Sequence, residues 1–150
     1  MNILTHRKNA FNEKYLKFVF PVIGFGIGIV VLCFQEMKKH NEFIEFLKEV
    51  FEEFGPIESR RMFGGFGIYH DGVMFALVEN NTLYLKSDEF TKSHFESKDL
   101  PQFEYARKDK MIKMSYYLAP DEIFDDREEA AIWASHAYKA ALNTQSRKKK

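Results

Sequence analysis

Apolar residues recur at three- and four-residue spacing from Asn41 onward, at Phe43, Ile44, Leu47, Val50, Phe51 and Phe54, while Glu42, Glu45, Glu49, Glu52 and Glu53 fill the other positions. That period predicts an amphipathic helix with one face in a core. It ends at Gly55-Pro56, because glycine takes the left-handed position that closes a helix and proline cannot extend one. The pattern then shortens into three runs, Ser59–His70, Val73–Glu79 and Thr82–Lys86, separated by Asp71-Gly72 and Asn80-Asn81. Both dipeptides accept positive φ and suit two-residue hairpin turns, so the runs predict a three-stranded antiparallel meander. Ser87 or Asp88 caps a short second helix carrying Phe90 and Phe95, which stops before Leu100-Pro101. Period two returns at Phe103, Tyr105 and Arg107 and, beyond Asp109-Lys110, at Ile112, Met114, Tyr116 and Leu118, predicting a second hairpin. Asp125 with Glu128 is an acidic variant of the capping box, opening a last helix whose face carries Ala130, Trp133, Ala134, Ala137, Tyr138 and Ala141.

The resulting order, α-β(3)-α-β(2)-α, predicts a two-layer α+β domain with helices on one face of a largely antiparallel sheet. A chain of 150 residues, 45% hydrophobic and 16% aromatic, has the material for one packed core. The single cysteine, Cys33, can form neither an internal disulfide nor a cysteine-based zinc site.

Ahead of this domain, Phe18 to Phe34 is a stretch of 17 residues without a charge, at the short end of what a membrane-spanning helix requires. Three readings compete: a membrane anchor through residues 18–34, a cleaved signal that lacks a small-residue cleavage site, or an upstream start preceding a natural first residue at Met37. The organisation expected is an apolar and basic head at 1–36, a domain at 37–143 and a basic tail at 144–150.

Charge changes the picture more than composition does. The formal net charge is +0, yet residues 41–143 hold 12 basic and 20 acidic side chains, a net of −8, and the flanks hold the compensating excess of cations. A domain this acidic gains little from a phosphate backbone, which argues against direct nucleic-acid binding by residues 41–143.

The stretch Arg60 to Gly72 holds the candidate chemistry. Gly64, Gly65 and Gly67 lack both the G-x-G-x-x-G spacing and the GK[ST] ending of a phosphate cradle, and they lead into a hairpin at Asp71 and Gly72, so they predict a bulge, a bend or a close approach of backbones. Arg60 and Arg61 are neighbours, and on a strand with one covered face only one of them should reach solvent. His6, His40, His70, His94 and His136 show no metal-ligand spacing, and no nucleophile elbow or reactive-cysteine context is present, so neither a metal, a cofactor nor a catalytic site is expected. Asp125, Asp126, Glu128 and Glu129 are explained by capping and the helix dipole. Tyr69, Tyr84, Tyr105, Tyr116 and Tyr117 lie on predicted strands, where packing accounts for them without base stacking.

Together the stretches "FGPIESRRMFGGFGIYHDGVMFALVENNTLYLKSD", "FEYARKDKMIKMSYYLAPDEIFDD" and "WASHAYKAAL" closely resemble the N-terminal domain of the TfoX/Sxy competence regulators, from about Asn41 to Leu142. The resemblance implies a fold like that of secretion chaperones and a bacterial regulatory role in competence-gene expression alongside the cyclic-AMP receptor protein, without catalysis. Full-length members carry a further C-terminal helical domain, whereas this sequence continues past Leu142 only into a basic tail. The function expected is a cytoplasmic transcriptional co-regulator that contacts a protein, such as a DNA-bound transcription factor or a second copy of the chain, through the exposed members of Arg60, Arg61, Tyr69, Lys86, Tyr116 and Tyr117. The alternatives are a small-molecule binder or unrecognised enzyme with a pocket between sheet and helices, and a membrane-tethered version of either.

Overall fold

A computed structural model describes residues 28–62 and 64–149. Helix α1 (Gly28–Val50) runs without a break through Met37. The turn at 51–54 closes it, and Gly55 follows with φ of +131°, a conformation open to glycine and strained for other residues. Most of the 18–34 segment lies outside the described residues, and the membrane-anchor reading falls largely there. Among the described residues no helix is long and apolar enough to cross a membrane.

Six strands form one antiparallel sheet: β1 (Glu58–Met62), β2 (Gly65–His70), β3 (Val73–Glu79), β4 (Thr82–Lys86), β5 (Gln102–Arg107) and β6 (Lys110–Leu118), in spatial order β1-β2-β3-β4-β6-β5. The α+β class and the antiparallel sheet are as expected, with one strand more than the sequence pattern suggested. The run Ser59–His70 folds back on itself, with Met62 opposite Gly65 and Gly64 at φ of +75°, so it makes two strands where one was read. A turn made largely by glycine leaves the apolar alternation almost uninterrupted, which hides it from the pattern.

The expected hairpins close as their residues dictate. Asp71 and Gly72 (φ of 46° and 75°) join β2 to β3, and Asn80 and Asn81 (φ of 50° and 57°) join β3 to β4. The last hairpin turns at Lys108-Asp109, one residue earlier than read, with Lys108 at φ of 53° and Arg107 opposite Lys110. Gln102 and Glu104 flank a shift in the β5–β6 register.

Helix α2 (Lys92–Glu96) is a single short turn entered through Asp88, whose carboxylate accepts from the amides of Phe90 and Thr91 while the Asp88 amide donates to the Thr91 hydroxyl. Phe95 is buried, but Phe90 precedes the helix and is 70% exposed. A 3-10 turn (Asp121–Phe124) leads to α3 (Arg127–Lys148), whose N-cap is Asp126, accepting from the amides of Glu128 and Glu129. The sequence had put this cap at Asp125, one residue early. α3 also carries Thr144 to Lys148 of the segment expected as a basic tail. Nothing after Leu142 breaks the helix, and Arg147 and Lys148 suit the negative end of its dipole.

The three helices among the described residues pack on one face of the sheet. Phe43, Leu47 and Phe51 of the α1 segment, Phe95 of α2 and Trp133, Ala134 and Ala137 of α3 meet Ile68, Phe75, Val78, Leu83, Leu85 and Tyr117 of the strands. Phe51 and Phe54 stand 5.7 and 5.2 Å from Phe75, ring centre to ring centre. The alanines let α3 approach the sheet closely, and each fully buried large side chain contributes about 1.5–3 kcal/mol against the chain's ordering entropy. The opposite face of the sheet carries only a small cluster of Leu77, Phe103 and Tyr116, with Met74, Tyr84 and Met114 packed against it.

Candidate functional site

The helix-free face and its edge hairpin gather most of the candidate residues. β1 pairs with β2 alone, and every one of its residues is exposed. Arg60 and Arg61 therefore both reach solvent, correcting the expectation that one of them would be turned inward toward the acidic helices: an edge strand that overhangs the helical layer has no covered face. Arg60 lies 4.5 Å above the ring of Tyr69, and its Nη2 is 3.4 Å from Glu58 on its own strand.

The glycines of this hairpin have three separate reasons. Gly64 supplies the positive φ of the turn. At Gly65 a Cβ would sit 2.1 Å from the carbonyl oxygen of Val78, so β2 and β3 approach there as only glycine permits. At Gly67 a Cβ would meet Met62 Sδ at 2.7 Å, the Tyr69 ring at 2.9 Å and Met74 Sδ at 3.1 Å, so these three side chains close over a missing side chain. A register shift between Ile68 and Tyr69, with Phe75 as the extra residue on β3, re-aims the far end of the hairpin.

Lys86 is half-buried, with Nζ 4.7 Å above the ring of Tyr116. Burial holds its pKa below the usual lysine value, Lys148 at the end of α3 adds to that, and Asp88 opposes it. Tyr116 is buried, and its phenol is pushed up to about 12, first by burial and then by the neighbouring Tyr69. Tyr117, next in sequence, points to the other side and stacks on Phe95, 5.2 Å away in the main core. Burial takes Tyr116 and Tyr117 off the molecular surface, whereas Arg60, Arg61, Tyr69 and Lys86 keep solvent access.

Between the edge hairpin and β5 the same face sinks into an apolar groove of about 320 Å³, walled by Met62, Met74, Leu77, Phe103 and Met114, with Glu79 at its border. Tyr84 stands beside it, 4.9 Å from Phe103, with its pKa raised by burial and then by Glu79. Where sheet and helices meet, the layer in which the alternative reading places a pocket, Lys92, Gln102, Ser115, Tyr117, Thr144 and Arg147 line a separate cavity of about 310 Å³, and the apolar groove lies on the opposite face of the sheet. Sequence reasoning missed it because Met62, Met74 and Met114 belong to three different strands and no local spacing links them.

Of the five histidines, His70, His94 and His136 pack against neighbouring rings, and His6 lies outside the described residues. His70 Nδ1 lies 2.7 Å from the carbonyl oxygen of Pro56, and its ring packs between Phe54 and Tyr138. His94 and His136 face each other at 5.7 Å. Among the described residues no group of three or more His, Cys, Asp or Glu could hold a metal ion.

The family model of the TfoX N-terminal domain matches residues 49–141, which is most of the folded unit just described. The DNA transformation protein TfoX1 of Aliivibrio fischeri (strain ATCC 700601 / ES114) is 30% identical to this chain over 95 residues, which is 61% of this chain and 44% of that protein. The chain thus matches less than half the length of this curated relative.

Proposed function

This chain belongs to the TfoX N-terminal domain family, and on that premise we propose that it is a non-enzymatic cytoplasmic regulator of transcription, in the setting of competence, acting through contact with another protein. The observation that carries this reading is the edge hairpin with its open sheet face. Arg60 and Arg61 are exposed on the edge strand, Arg60 stacked on Tyr69, and Lys86 is half-buried on β4 over Tyr116, all on a domain whose net charge over residues 41–143 is −8. Such a surface has little to gain from nucleic-acid phosphates, which repel the rest of the domain. A folded partner offers acidic and apolar groups at matched positions, and charge patterning then sets orientation and partner choice. A transcription factor already bound to DNA is the partner class that best suits an acidic adaptor.

The test compares three strains: wild type, a deletion, and one carrying Arg60→Glu, Arg61→Glu and Lys86→Glu together. The triple variant should keep the wild-type melting temperature within a few degrees and reproduce the transcript profile of the deletion. A deletion that leaves transcription unchanged removes the regulatory role. A deletion phenotype that the triple variant does not share removes the surface.

A further inference from the structure

The groove on the helix-free face has the size and lining of a small-molecule site. Its volume of about 320 Å³ sits at the lower end of the roughly 300–1,000 Å³ typical of such sites. Three thioethers, of Met62, Met74 and Met114, wall it together with the rings of Phe103 and Tyr105. Methionine is unbranched and polarizable, so a wall of this kind adapts to flexible apolar bodies, and aromatic faces attract cations.

Among the described residues one charged side chain lines this groove, that of Glu79. Period two along β3 puts Glu79 on the same face as Leu77, which belongs to the apolar cluster of the open face. Its partners across the sheet are Gly65 on β2 and Thr82 on β4, so neither neighbouring strand sets a cation opposite it. Glu58, Glu96 and Glu104 bridge to Arg60, Lys92 and Lys113, whereas no cation of a described residue bridges to Glu79. Glu79 is half-buried, and its charge reaches Tyr84, whose pKa it helps to raise. A half-buried carboxylate without a bridging cation loses hydration that a bound cation would make good. The net charge of −8 over residues 41–143 draws molecules of the same positive sign.

We infer that this groove binds a small lipophilic cation, an alkyl- or aryl-ammonium whose apolar body lies on the methionine and aromatic walls and whose head meets the Glu79 carboxylate. The contact is reversible and non-covalent, and it stands independently of the protein-contact role proposed above.

The test uses the full 150-residue chain labelled with carbon-13 at the methionine methyls. Octylammonium is the probe, with octanol as its uncharged counterpart and octanoate as its anionic one. Octylammonium should shift the Met62, Met74 and Met114 methyls in a saturable way below about 1 mM, with octanol and octanoate weaker by at least about tenfold. Glu79→Gln, a replacement of nearly equal size, should weaken octylammonium by about tenfold and leave octanol unchanged. Glu129→Gln, at an exposed position on α3, should leave both unchanged, because contact with Glu79 and not the diffuse field of the domain holds the cation. Four results would each overturn the assignment: no saturable shift of these methyls, equal responses to the cation and the alcohol, octylammonium binding indifferent to Glu79→Gln or weakened as much by Glu129→Gln, or a dimer in sedimentation whose formation moves the same methyls without any probe. The last would mean that a second copy of the chain covers the face.

Discussion

Replacing Gly65 by alanine tests how β2 and β3 are held. The added Cβ would lie 2.1 Å from the Val78 carbonyl oxygen and 3.1 Å from its carbon. Ordinary contact begins near 3.4 Å, so the strands must part by about 1 Å at the pairs Gly65–Glu79 and Phe66–Val78. Both clashing atoms on the β3 side are backbone, so no rotamer change relieves them. Overpacking of this kind costs about 1–3 kcal/mol, and a weakened ladder hydrogen bond adds about 1 kcal/mol, giving roughly 2–4 kcal/mol for Gly65→Ala.

The adjacent Gly64 is the internal control. Its φ is +75° and nothing lies within 4 Å of the place a Cβ would take, so Gly64→Ala meets only left-handed backbone strain, about 1–2 kcal/mol. Urea denaturation followed by the fluorescence of Trp133, the single tryptophan and a buried one, reads both. With an m-value near 2 kcal/mol/M, Gly65→Ala should lower the midpoint by about 1–2 M and Gly64→Ala by about 0.5–1 M. A Gly65→Ala midpoint within about 0.3 M of wild type, or a larger loss for Gly64→Ala, would refute the close-approach account.

Removing the N-cap by Asp126→Ala should cost about 1 kcal/mol and lower the melting temperature by about 2–4 °C, whereas Asp125→Ala should change it little. The pKa of His136 is lowered by burial, then by His94 and Lys139, so the unfolded chain takes up the proton first. Stability should be complete above pH 6.5 and fall as pH drops below it, and a smaller fall for His136→Gln in denaturation at stepped pH values checks this. Tyr116 has its pKa raised to about 12 against 10.0 unfolded. Its contribution is therefore complete below pH 10 and lost as pH rises toward 12; absorbance titration near 295 nm should show Tyr84 and Tyr116 titrating late, and Tyr116→Phe should remove the step near pH 12.

How much of this could be read from the chain follows from how local each signal is. The amphipathic run from Phe43 to Phe54, the Asp71-Gly72 and Asn80-Asn81 turns and the alanine face of α3 are written in spacings of a few residues, and all three stand as read. Caps and turns slipped by one residue at Asp125–Asp126 and at Lys108–Asp109, where adjacent residues have equal intrinsic fitness and tertiary packing decides. The β1–β2 turn escaped because its glycines also fit a bulge. Solvent exposure of both Arg60 and Arg61 depended on where the helical layer ends, which no strand pattern encodes. The groove depended on register across β1, β3, β5 and β6, and so did the approach of Lys148 to Lys86 from the end of α3.

The central claim is that the edge hairpin and open sheet face of this acidic domain meet a regulatory protein. A photo-crosslinking residue placed in living cells at Ser59, on the exposed edge strand, and separately at Glu129, on the exposed side of α3, tests it most directly. The account predicts a discrete covalent adduct with a protein of the transcription apparatus from position 59 and none from position 129. Adducts of equal yield from both positions, or nucleic acid as the captured species at position 59, would contradict it.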